Sequence, residues 1–124
     1  MYSEKMLERF RNPKFVGEIK NPDGVGEEGN MRCGDVMKVF IKVKNNKITD
    51  AKFKTFGCAA AIAASDALCE LAIGKTLEQA LKIEKNDIIK LLGGDVPAIK
   101  HHCSILGVET LHKAIEEYKR KQKK

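Results

Sequence analysis

A chain of 124 residues fits one domain and can bury roughly two-thirds of its unfolded surface without help from disulfides. Its 43% apolar and 32% charged residues suit a globular protein in water, and four widely spaced cysteines are too few for a disulfide-stapled secreted scaffold. The formal charge of +6 is distributed along the chain, densest in the terminal YKRKQKK, which reads as a solvated helix end, and without interleaved aromatics, which argues against a nucleic-acid surface; an acidic protein partner explains the charge at least as well.

The first residues show no charged-then-apolar leader, so secretion is not expected. The most apolar run, residues 56–74, is alanine-rich and interrupted by Asp66 and Glu70, so no membrane span is expected either. Reduced thiols in the cytoplasm are the default that follows.

In chain order, Met6, Leu7 and Phe10 repeat at helical spacing behind Ser3 as N-cap. Pro13 ends that helix by disfavouring helical geometry at Asn12. Residues 21–35, NPDGVGEEGNMRCGD, are so rich in Gly, Asn and Asp that they are expected to be loop. From Val36 the period becomes two: Met37, Val39, Ile41 and Val43 alternate with Lys38, Lys42 and Lys44, while Phe40 breaks the polarity of the outer face. KNNK predicts a hairpin turn because asparagine tolerates positive φ. The return strand points Ala51, Phe53 and Thr55 inward, and Ile48, out of phase with them, predicts a bulge or a later strand start.

Residues 57–74 read as a helix of small residues ending near Gly74. Thr76 and Gln79 form a capping-box pattern ahead of a short helix, LEQALKI, and DIIKLLGG gives another that stops at its glycines. Ile105, Val108, Leu111, Ile115 and Tyr118 mark one face of a C-terminal helix. Strands come first and helices follow, so the class is α+β: a small antiparallel sheet of about three strands with helices packed on one face, in a single domain over residues 1–124.

Three cysteines fall at element ends, where side chains can converge at one edge of the domain. Cys33 lies in the glycine-rich segment, Cys58 where a strand meets the alanine-rich helix, and Cys103 at the start of the last helix. Cys69 sits inside a helix and reads as a small packed hydrophobe. The other three have chemistry beside them. Asp35 follows Cys33 across a flexible glycine, the helix N-terminus at Cys58 attracts negative charge, and His102 offers an imidazole beside Cys103. His101 reads equally as a ligand or a solvent-facing residue, and His112, mid-helix, as surface or packing.

The spacing of Cys33, Cys58 and Cys103 matches no zinc ribbon or finger. A Cys-His nucleophile would explain one cysteine and leave two over. Soft thiolates select iron–sulfur clusters, zinc or copper, so a metal is the better class of answer, and the residues alone leave its identity open.

The segments GNMRCGDVM, FKTFGCAAAIAASDAL, GKTLEQAL and VPAIKHHCSILG, in this order and at this spacing, resemble the IscU/NifU-type iron–sulfur cluster assembly scaffolds. The likeness covers nearly the whole chain. It implies that Cys33, Cys58 and Cys103 ligate the cluster, that Asp35 matches an aspartate associated with cluster lability and transfer, and that His102 is a further ligand to zinc or cluster. It also implies that a partner cysteine desulfurase delivers sulfur as a persulfide, with Cys103 the acceptor, so that the chain is a scaffold and not an enzyme. Iron, and electrons from a ferredoxin, then give a [2Fe–2S] cluster that passes to apo-ferredoxin or another acceptor. Zinc is the implied surrogate or resting metal, and a zinc-binding persulfide acceptor is the alternative function.

Some positions depart from the family pattern. Many relatives carry Leu-Pro-Pro-Val-Lys, a site for a dedicated Hsp70-type chaperone, where this chain has Val96-Pro97-Ala98-Ile99-Lys100; the missing proline weighs against that partner. Met31 replaces the usual proline of the first motif, and Asp66 and Cys69 stand where small hydroxyl residues are expected. The chain shows one module, without the added cluster domains of full-length NifU, and no long insertion between Cys58 and Cys103 such as the zinc-dependent sulfur-transfer branch carries. Both features point to the single-module scaffold form.

Overall fold

Asn45 and Asn46 take φ values of 54° and 66°, the left-handed geometry that a tight hairpin needs, and so turn β2 (Asp35–Lys44) back into β3 (Lys47–Phe56). The structure is a computed structural model that describes residues 4–30, 35–93 and 101–122. On the inner face of this hairpin Met37, Val39, Ile41, Ala51 and Phe53 are buried, as the period of two predicts. Lys42 stands opposite Asp50 but Val43 opposite Ile48, so Thr49 is an extra residue on β3. That bulge reverses the phase and turns Ile48 into the core. Phe40, on the outer face, is nevertheless buried, and the Lys38 ammonium lies 5.4 Å from the centre of its ring.

Residues 21–35, expected to be loop, contain a third strand, β1 (Gly24–Asn30), which pairs antiparallel with β2 from Gly24 opposite Ile41 to Asn30 opposite Asp35. The glycines that suggested a loop are what admit the strand. A β-carbon on Gly24 would lie 2.2 Å from the carbonyl oxygen of Ala114, and one on Gly26 2.1 Å from that of Thr110. Only a bare backbone lets the last helix approach so closely. The strand order is β1-β2-β3.

The helices are α1 (Glu4–Arg11), α2 (Ala59–Ala72), α3 (Leu77–Ala80), α4 (Lys85–Leu91) and α5 (His101–Gln122). α2 lies over β3 and α5 over β1 and β2, so one face of the sheet is covered; α1 packs on α2, and α4 on α2 and α5. Ala60, Ala61, Ala63, Ala64, Ala67 and Ala72 are all buried together with Leu68, because neighbours on several sides crowd α2. The expected capping box is present at α3: Gln79 N–H donates to Thr76 Oγ1 at 3.2 Å and Thr76 N–H to Gln79 Oε1 at 3.0 Å.

Two apolar positions differ from expectation. Ile105 is 41% exposed, although Leu111 and Ile115 are fully buried. The backbone contact of Thr110 and Ala114 with β1 sets the rotation of α5 and turns Ile105 outward. Phe10 is also exposed, and Met6 carries the packing of α1. Ser3, the expected cap of α1, lies outside the described residues.

Asp66, where a small hydroxyl was expected, is buried and well partnered. It accepts from Arg9 Nη1 at 3.0 Å, Lys14 N–H at 2.8 Å and Phe15 N–H at 3.0 Å. One carboxylate thus fastens α1 and the segment after it to α2.

Candidate functional site

The first turns of α2 and α5 meet at one end of the sheet. Cys58 is the N-cap of α2 in extended geometry, φ −77° and ψ 172°, with its carbonyl accepting from Ala61 N–H at 3.0 Å. Cys103 is the third residue of α5 and is buried, whereas Cys58 is half-buried. Their sulfurs lie 4.0 Å apart. A disulfide would need about 2.05 Å. Two thiolates on one tetrahedral metal, each about 2.3 Å from it, stand about 3.8 Å apart, so the pair matches the bite of a thiolate metal site.

The strands bring the other candidates toward the same end. Val36 stands opposite Phe56 and Asn30 opposite Asp35, so the end of β1 and the start of β2 lie level with the strand end that leads into Cys58. Asp35 opens β2 and His102 belongs to the first turn of α5, but their side chains, and those of His101 and Asn30, are outside the described part. Cys33 and residues 96–100 also lie outside the described residues. Among the described residues no group of three or more His, Cys, Asp or Glu side chains could hold a metal ion. The convergence observed is therefore that of Cys58 with Cys103.

Cys69 takes no part in it. Its side chain is buried in the core, and burial first, then the charge of Asp66, pushes its thiol well above the ordinary range. His112 packs as expected, with Nε2 3.2 Å from the carbonyl oxygen of Leu81.

Sequence reasoning passed over Phe56. It is 75% exposed, two residues ahead of Cys58 and paired across the sheet with Val36. The outward parity of Lys52 and Lys54 continues to Phe56, which was the available sign that this aromatic faces solvent beside the thiols.

None of the described helices is long and apolar enough to cross a membrane. Over residues 1–124 the chain matches the family described as NifU-like N terminal domain. It is 52% identical, over 124 residues, to the iron–sulfur cluster assembly scaffold protein IscU 1 of Archaeoglobus fulgidus, covering 100% of this chain and 80% of that one. It is 49% identical, over 123 residues, to the iron–sulfur cluster assembly scaffold protein IscU of Aquifex aeolicus, covering 98% and 78%. Among solved structures, a candidate iron–sulfur cluster assembly scaffold protein for the SUF system from Fervidobacterium islandicum superimposes with a TM-score of 0.77 at 29% identity, covering 92% of this chain and 96% of that one. The three-stranded antiparallel sheet backed by helices is thus shared with these scaffolds, and the chain belongs to the NifU-like N-terminal domain family.

Proposed function

We propose that the chain is a single scaffold domain on which an iron–sulfur cluster is assembled and from which it is handed to an acceptor protein. The observation that carries this reading is the 4.0 Å approach of Cys58 and Cys103, two thiols that the fold brings together at the starts of α2 and α5. Cys33 is the third thiolate ligand, with Asp35 and His102 as the oxygen and nitrogen donors at the same end. Thiolates suit the soft iron of a cluster, and an oxygen or nitrogen donor holds it less firmly than a fourth thiolate would. The cargo is a [2Fe–2S] cluster, and its sulfur comes as a persulfide from a partner cysteine desulfurase, with Cys103 as acceptor. The chain itself frees no sulfur. A cluster ligated by open thiolates also requires a reducing compartment, in keeping with the cytoplasm.

Anaerobic reconstitution with iron, cysteine and a cysteine desulfurase tests this, followed by visible and Mössbauer spectra and by transfer to apo-ferredoxin. A [2Fe–2S] signal is expected that Cys33→Ser, Cys58→Ser and Cys103→Ser each abolish and Cys69→Ser leaves. Asp35→Ala should retain the cluster longer than wild type. Tight zinc with no cluster, and sulfur relayed through Cys103 alone, would replace this reading with a zinc-binding persulfide acceptor.

A further inference from the structure

The two edges of the sheet are treated differently by the chain. The outer edge of β3 is closed at both ends. Phe53 N–H donates to Phe15 O at 2.9 Å and Gly17 N–H to Phe53 O at 2.8 Å. Farther along, Ile48 N–H donates to Lys75 O at 2.9 Å and Gly74 N–H to Ile48 O at 2.8 Å. β1, at the other edge, has β2 as its one strand partner, and among the described residues no backbone hydrogen bond reaches it from the far side. It has no proline or lysine and its register with β2 runs without a bulge, and its charged side chains are Glu27 and Glu28.

Beside this open edge runs a groove of about 580 Å³. Val25 and Glu27 of β1 form one wall, and Lys113, Glu116, Lys119 and Arg120 of α5 the other. Lys113 is bound to Glu28 at 2.9 Å. Among the described residues no carboxylate comes within ion-pair distance of Lys119 or Arg120, although the charge of Lys119 also reaches Glu78. An edge strand lying beside a helix is the geometry in which an extended peptide adds to a sheet, its main chain pairing with the strand and its side chains meeting the helix.

We propose that this groove docks an extended acidic segment of a partner protein, which adds to β1 as a fourth strand and sets its carboxylates against Lys119 and Arg120. The inference goes beyond the assembly role and concerns how a partner is held. A second copy of the chain is the poorer occupant. Two β1 strands paired antiparallel about their midpoints would set Glu27 against Glu27, and like charges directly opposite are unfavourable. The position also suits a tether. Val25 is about 13 Å along the strand from Gly29, at about 3.3 Å per residue, and Gly29 is the residue level with Val36 and Phe56 at the cysteine end. A segment bound at Val25 leaves the thiols uncovered.

The test is a titration of the ¹⁵N-labelled full chain with a synthetic peptide alternating valine and glutamate, beside one alternating valine and lysine. Shift changes and slowed amide exchange are expected in β1 and in residues 113–120, with the glutamate peptide binding more tightly. The Lys119→Glu/Arg120→Glu double variant, at exposed positions, should keep the folded spectrum and bind about tenfold more weakly. Lys82→Glu/Lys85→Glu, on another face, should bind as wild type does. Equal binding of the lysine peptide, unchanged affinity of the first double variant, shifts mapping away from β1, or no binding at millimolar peptide would each overturn the proposal. Concentration-dependent shifts in β1 without peptide would overturn it in favour of self-association.

Discussion

Gly26 lies so close to Thr110 that a β-carbon on the glycine would stand 2.1 Å from the threonine carbonyl oxygen and 2.6 Å from the amide nitrogen of Ala114. Both are helix backbone atoms and cannot swing aside. Gly26→Ala must therefore push β1 from α5, and a loss of about 3 kcal/mol is expected, at the upper end of overpacking costs. Gly107, inside α5, makes the contrast. A β-carbon there meets nothing nearer than Leu68 Cδ2 at 3.5 Å, and alanine favours the helix, so Gly107→Ala should gain about 0.5–1 kcal/mol. Urea denaturation of the two variants beside wild type checks the opposite signs.

Asp66 supplies a second test. Its buried carboxylate holds Arg9 and two backbone amides, so removing it leaves three donors without their acceptor. Breaking a largely buried charge pair in this way costs roughly 3 kcal/mol. Asp66→Ala should lower stability by that order, and amide exchange in α1 should rise most, because α1 loses its anchor. A loss below about 0.5 kcal/mol would match a surface ion pair and contradict the burial.

The unequal burial of the two close thiols predicts an order of chemical modification. Cys58 is half-buried, while Cys103 and Cys69 are each 1% exposed. Under reducing conditions, iodoacetamide followed by peptide mass spectrometry should find Cys58 labelled ahead of Cys103, and Cys69 only on partial unfolding. Equal rates at Cys58 and Cys103 would show that the start of α5 opens readily.

Cys69 gives a pH dependence. An unfolded cysteine ionises near pH 8.5, but burial raises the folded thiol above that, so the folded state keeps its proton where the unfolded state has lost it. The stability that this contributes is present below about pH 8.5 and is lost as pH rises through the alkaline range. Wild type should therefore lose stability faster than Cys69→Ala between about pH 8.5 and 10. Parallel curves for the two proteins would show that Cys69 ionises in the folded state as readily as in the unfolded one.

Much of this protein was readable in one dimension. The β2–β3 alternation, the Asn45–Asn46 turn, the displaced phase of Ile48 and the Thr76–Gln79 capping box all depend on neighbours a few residues apart, where backbone geometry and side-chain period act directly. The positions of Cys58 and Cys103 at helix starts were readable for the same reason. Tertiary structure alone decided the rest. β1 is a strand because α5 lies on its glycines, the rotation of α5 exposes Ile105, and Asp66 is tolerated in the core because α1 brings Arg9 to it. The 4.0 Å approach of Cys58 to Cys103 belongs to this second group, since it comes from packing α2 and α5 side by side on one sheet. Local pattern sets which face of an element is apolar; which partner meets that face, and how closely, depends on residues far apart in sequence.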